Sequence, residues 1–143
     1  MFHKICCAYD GSPGAQRALE AALRLAPEQS APLYIVMVEE RLPRYAATVG
    51  EMEEAREEEG AYAARVLAEA TQRAQAAGVA VETAVRFGHA AQALVRFLEE
   101  GGFDLLVIGQ SGHSEIWGRF LGATADKVTR HAPCSVLIVR GAP

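Results

Sequence analysis

Between Leu105 and Arg140 the chain passes from an apolar run, LLVI, through a stretch punctuated by Gly109, Gly112 and Gly122, into a helical pattern and back to an apolar run. The first run is short and apolar throughout, as a strand buried on both faces must be. After Gly122, the residues Ala125, Val128, Thr129 and Ala132 share one face, and Asp126 stands in the first turn. Lys127, Arg130 and His131 lie towards the end, before Pro133. That charge order suits the helix macrodipole, and proline stops the helix. Glycine admits positive φ and close backbone approach, and a helix N-terminus offers unpaired N–H groups to an anion. A strand, a loop of small residues and a helix start in that order predict a phosphate site, and with it a nucleotide.

The rest of the chain alternates in the same way. Lys4–Tyr9 reads as a central strand ended by Asp10-Gly11-Ser12-Pro13. There Gly11 turns the chain, Ser12 caps a helix and Pro13 fits its first position. Ala15, Ala18, Leu19, Ala22, Leu23 and Ala26 form one apolar helical face. Pro27–Pro32 reads as a loop and Leu33–Val38 as a second buried strand. A polar connector over 39–50 leads to a long helix over Glu51–Ala77, with Met52, Ala55, Tyr62, Val66, Ala70, Ala74 and Ala77 inward. Gly60 inside this helix costs about 1 kcal/mol against Ala, which predicts a kink or fraying there, and Gly78 closes the helix. Val79–Phe87 alternates as an edge strand does, with Val79, Val81, Thr83, Val85 and Phe87 on one side. Leu94, Val95, Phe97 and Leu98 mark the next helix, ending at Gly101-Gly102; Phe103–Ile108 is the fourth strand and Val136–Arg140 the fifth. Strands and helices in alternation predict a single-domain α/β fold over residues 1–143, an open five-stranded parallel sheet with helices on both faces.

Composition excludes several classes of partner. With 18 acidic against 14 basic residues, the net charge is −4 and no basic footprint for nucleic acid exists. Residues 110–143 are locally positive, with Arg119, Lys127, Arg130 and Arg140 against Glu115 and Asp126, which favours a polyphosphate. No apolar stretch approaches the roughly 20 residues of a membrane span. The opening MFHKICCAYD has no signal-peptide core, since Lys4 and Asp10 bracket its apolar run. Cys6, Cys7 and Cys134 are odd in number and lack metal-ligand spacing. Adjacent strand residues point to opposite faces, so Cys6 and Cys7 cannot pair; all three read as small core residues in a reducing cytoplasm. Glu51, Glu53, Glu54, Glu57, Glu58 and Glu59 suit the positive end of a helix dipole and require no metal. The sequence holds no G-x4-G-K-[ST], G-x-G-x-x-G or G-x-S-x-G motif, so no catalytic role is placed by a motif.

Gly109-x2-Gly112-x9-Gly122 resembles the nucleotide-binding signature G-x2-G-x9-G-[ST] of the universal stress protein family. The opening KICCAYDGSPGAQRAL is similar to that family's first strand, loop and helix. GHAAQALVRFLEEGGFDLLVIG is similar to its third helix and fourth strand, and ADKVTRHAPCSVLIVR to its closing helix and strand. The likeness spans nearly the whole chain, with 39–60 the least characteristic part. One departure stands out: Ala123 occupies the position of the signature's Ser or Thr, with Thr124 one residue later. The resemblance implies a Rossmann-like, adenine nucleotide alpha hydrolase-like sheet of strand order 3-2-1-4-5. Such sheets bind ligands at the strands' carboxyl ends where the order reverses, here between the strands ended by Asp10 and Gly109. It also implies ATP with Mg2+ as the ligand, a regulatory part in stress responses, and a homodimer joined through the last strands. A long apolar edge strand at Ser135–Arg140 needs cover on its own account.

On this reading Gly109, Gly112 and Gly122 take the phosphates, and the N–H groups of Gly122, Ala123 and Thr124 face the outer ones. Ala123 keeps its amide but lacks a hydroxyl bond worth roughly 0.5–1.5 kcal/mol. Thr124 either compensates or simply starts the helix. Asp10 either contacts the nucleoside, as the family's aspartate does, or caps the next turn. Ala8, Val38 and Ile108 line an adenine slot while serving as core, and Tyr9 adds its backbone. Ser111 and His113 either touch phosphate or stand solvated, Arg119 either clamps phosphate or lies at the surface, and Trp117 and Phe120 pack the loop against the body. Two other readings share the fold: a slow ATP hydrolase or phosphate-transferring enzyme using the same crevice, and a nucleotide-free dimeric scaffold, against which the three glycines speak.

Overall fold

The computed structural model describes residues 1–40, 48–110 and 122–141. In chain order its elements are β1 (Ile5–Ala8), α1 (Pro13–Gln29), β2 (Leu33–Glu39), α2 (Val49–Ala76), β3 (Val81–Phe87), α3 (Ala90–Gly101), β4 (Leu105–Gly109), α4 (Ala123–His131) and β5 (Ser135–Val139). The strands form one sheet in the order β3-β2-β1-β4-β5, with every neighbouring pair parallel. The sheet is therefore Rossmann-like, with the reversal of order between β1 and β4.

Because side chains alternate across a strand, the central strands feed two cores. Ile5, Cys7, Leu33, Ile35, Leu105 and Val107 pack with residues of α1 and α2. Cys6, Val36, Leu106 and Ile108 pack with residues of α3 and α4. Cys6 and Cys7 part to these two faces and both are fully buried; burial pushes the Cys7 thiol up to about 12. At the amino end of the sheet, Asp104 accepts the N–H of His3 at 2.7 Å and of Lys4 at 3.0 Å. The Lys4 ammonium donates to Gly101 O at 2.6 Å over the Tyr34 and Phe103 rings. β1 and the start of β4 are thus tied together at the end remote from the crevice.

Several elements differ from the sequence expectations. α1 continues through Pro27 to Gln29, because a proline in the last turn removes one N–H only. Ser30, left-handed at φ 53°, then closes the helix with its N–H on Pro27 O, and Ala31 N–H returns to Ala26 O. α2 begins at Val49, earlier than expected, because Thr48 Oγ1 accepts the Glu51 N–H at 3.1 Å. It also runs through Gly60 without fraying; among the described residues nothing lies within 4 Å of where a Cβ would stand there. Tyr62, expected inward, is 47% exposed, and Ala63 and Leu67 face the core beside Val66, Ala70 and Ala74. Ala77 lies past the helix as its C-cap, and β3 starts at Val81, two residues later than expected. β3 is an edge strand as expected, though Phe87 at its end is 39% exposed.

Candidate functional site

β1 and β4 stay paired only as far as Cys7↔Val107. The flanking pairs run further, β1 with β2 to Ala8↔Val36 and β4 with β5 to Gly109↔Val139. Beyond Cys7 the two central strands therefore part, each drawn to its outer neighbour, and a crevice opens where the strand order reverses. A cavity of about 490 Å³ fills it, within the range of about 300–1,000 Å³ usual for small-molecule sites.

One part of the cavity wall is apolar: Ala8, Val36, Val38 and Ile108 from the sheet, with Leu94 of α3. Another part is the start of α4, Gly122 to Ala125. Gly122 is the N-cap, and among the described residues no side chain caps the helix, whereas Ser12 Oγ caps α1 by accepting the Ala15 N–H at 3.2 Å. Among the described residues no side chain accepts from the first N–H groups of α4, and the positive end of the helix dipole lies there.

Of the residues singled out from the sequence, Ala8, Tyr9, Asp10, Val38, Ile108, Gly109, Gly122, Ala123 and Thr124 all line this cavity. Ser111, Gly112 and His113 lie outside the described residues, as do Trp117, Arg119 and Phe120. Asp10 Oδ1 accepts the Ser12 N–H at 2.9 Å, so its turn-capping role is present, and its place in the cavity wall is compatible with a second one. Tyr9 donates its N–H to Val36 O at 2.9 Å and buries its ring in the core under α1 and α2. Its hydroxyl has no hydrogen-bond partner among the described residues, and burial raises its pKa. Val36, Leu94, Ser12 and Gln110 also line the cavity and were not foreseen. Val36 and Leu94 read only as core, and register alone brings Val36 beside Ala8.

The two described signature glycines do not act as left-handed hinges. Gly122 has φ −62° and ψ 158°, which any residue adopts, and Gly109 is not among the positive-φ glycines, which are Gly11, Gly78, Gly88 and Gly102. Gly109 is required instead by close approach. A Cβ there would overlap the Gly14 carbonyl oxygen and lie 2.5 Å from its carbon, so α1 and β4 meet backbone to backbone. A smaller cavity of about 340 Å³ shares Asp10 and Val38 and is lined further by Met37, Glu39, Glu40, Glu59 and Tyr62. Among the described residues no group of three or more His, Cys, Asp or Glu side chains is arranged to hold a metal ion.

The model of the Universal stress protein family matches residues 1–140. The chain belongs to that family. It is 37% identical to the universal stress protein in the QAH/OAS sulfhydrylase 3′ region of Thermus aquaticus, over 98% of this chain and the whole of the relative. It is 34% identical to universal stress protein YxiE of Bacillus subtilis, again over 98% of this chain and the whole of the relative. Among solved structures it is similar to a universal stress protein crystallised in complex with cAMP, with 30% identity, a TM-score of 0.76 and 99% of each chain covered. Within this universal stress protein the two described signature glycines have unequal parts: Gly109 admits a neighbouring helix, while Gly122 brings no capping side chain to the helix it precedes.

Proposed function

We propose that this universal stress protein binds an adenine nucleotide, ATP with magnesium, and acts as a nucleotide-dependent regulatory module in the cytoplasm during stress. The base lies against Ala8, Val36, Val38 and Ile108, the Asp10 carboxylate meets the ribose, and the phosphates face the N–H groups at the start of α4. The observation that carries this reading is the pairing, in one cavity of about 490 Å³, of an apolar slot with a helix N-terminus that no described side chain caps. A purine is flat and largely apolar, and a polyphosphate is anionic, so each part meets matching chemistry. The relative in complex with cAMP supports an adenylate. Magnesium prefers to keep several waters and to ride on substrate phosphates, so it enters with the triphosphate rather than through a cluster of protein carboxylates.

A second reading, an adenylate with a single phosphate, is favoured by one observation: Ala123 offers no hydroxyl to the outer phosphates. Analysis of nucleotide released from the purified protein, with titration by ATP–Mg2+, AMP and cAMP, separates the two. Tighter binding of ATP supports the first, tighter binding of AMP or cAMP the second, and no binding of any of them overturns both. Turnover above about 1 per second would make the protein an enzyme instead.

The homodimer belongs to the same proposal. β5 lies at a sheet edge with Leu137 40% exposed, and such edges are normally covered. Replacing Leu137 with lysine should shift a dimer to monomer in sedimentation; a monomeric parent would remove this part of the reading.

A further inference from the structure

We propose that the smaller cavity makes the nucleotide site selective for a bare ribose edge, a selectivity that rests on the nucleotide reading above. Adenylates with free 2′ and 3′ hydroxyls are admitted, and those phosphorylated at either position are rejected. The two cavities adjoin at Asp10 and Val38, which line both. β1, which Asp10 follows, lies between β4 and β2. The larger cavity takes in Gly109 at the end of β4 and the start of α4. The smaller one takes in residues 37–40 at the end of β2, with Glu59 and Tyr62 of α2.

A β-nucleoside has its base and 5′ carbon on one face of the sugar and both hydroxyls on the other. With the base in the apolar slot and the phosphates at α4, the hydroxyls turn towards Asp10 and the smaller cavity. That cavity, about 340 Å³, has room for a phosphoryl group, so charge rather than size decides what enters. Its described lining carries Asp10, Glu39, Glu40 and Glu59 and no basic residue. Glu39 and Glu59 have contacts of their own, whereas Asp10 and Glu40 stand where the cavities meet. Asp10 Oδ1 accepts the Ser12 N–H at 2.9 Å. Glu40 Oε1 accepts, at 3.4 Å, the N–H of Ala90, which lines the larger cavity. A ribose hydroxyl donates to such carboxylates; a phosphate in its place brings about 1.5 to 2 negative charges at pH 7. Two like unit charges about 4 Å apart weaken binding about fivefold even in water. Asp10 and Glu40 are exposed, so salt screens this repulsion.

The test compares AMP with adenosine 2′,5′-bisphosphate and adenosine 3′,5′-bisphosphate by calorimetry. AMP should bind about tenfold more tightly than either, and the ratio should narrow about threefold when salt is raised to about 0.5 M. A bisphosphate that binds as tightly as AMP overturns the proposal. So does a ratio that salt leaves unchanged, since exclusion by shape is indifferent to screening. Glu40→Gln keeps an acceptor for the Ala90 N–H and removes the charge, and should narrow the ratio about threefold at low salt. An unaltered ratio overturns the part given to Glu40. Thermal melting checks that the variant folds, and if it does not, the salt series on the unaltered protein decides. A protein that binds neither AMP nor ATP refutes the nucleotide reading itself, a result distinct from AMP binding without discrimination.

Discussion

A methyl group at position 109 would overlap the carbonyl of Gly14, so the first signature glycine answers to α1 before it answers to any phosphate. Gly122 is different: its φ of −62° needs no glycine, and as the N-cap residue it brings no capping side chain. Ala123 follows as the first residue of α4, exposed and in the cavity wall. On the proposed nucleotide reading, a hydroxyl at this position would add a donor towards a phosphate without disturbing a buried contact. Ala123→Ser should therefore raise ATP affinity about three- to tenfold, one neutral hydrogen bond, with the melting temperature little changed. Calorimetry on the two proteins checks it, and equal affinities would mean that no phosphate oxygen reaches position 123. At this scale the spacing of the glycines was legible in the sequence, and so was the end-of-strand place of Asp10. What each glycine is for was not, because a backbone-to-backbone contact between residues 14 and 109 leaves no side-chain signal.

Elements were legible where periodicity is strong and less so at their ends. The apolar stripe of α1 and the unbroken β2 stood out, but Pro27 misled: a proline tolerated in a last turn looks the same in a sequence as one that ends a helix. Tyr62 misled through its size. Ala63 and Leu67 sit at the spacing that the stripe of α2 needs, and Tyr62 lies one residue off it, towards solvent. β1 was read correctly down to its two cysteines, which part to opposite cores. Their burial has a measurable consequence. The folded protein holds the Cys7 thiol neutral up to about 12, against an ordinary value of 9.0, while the unfolded chain ionises at the ordinary value. The contribution of Cys7 is therefore complete below pH 9.0 and is lost as pH rises towards about 12. In that window it should lower the unfolding free energy by about 1.4 kcal/mol per pH unit. Denaturant melts of Cys7→Ala should show a correspondingly shallower decline with pH; identical slopes in the two proteins would contradict the burial of that thiol.

For the molecule as a whole, the crevice is a consequence of topology. β1 and β4 are neighbours whose chain connections leave in opposite directions, and their pairing ends at Cys7↔Val107 while each stays paired to its outer strand. The strand order and the place of the crevice were legible, the order through family resemblance and the place through a general rule of such sheets. Val36 and Leu94 in its wall were not, since only register and helix placement bring them beside Ala8 and Ile108. The most direct measurement is a crystal structure with ATP and magnesium at saturating concentration. We expect the base against Ala8, Val38 and Ile108, and phosphate oxygens about 3 Å from the N–H groups of Gly122, Ala123 or Thr124. An empty cavity, or a nucleotide bound elsewhere with the start of α4 untouched, would contradict it.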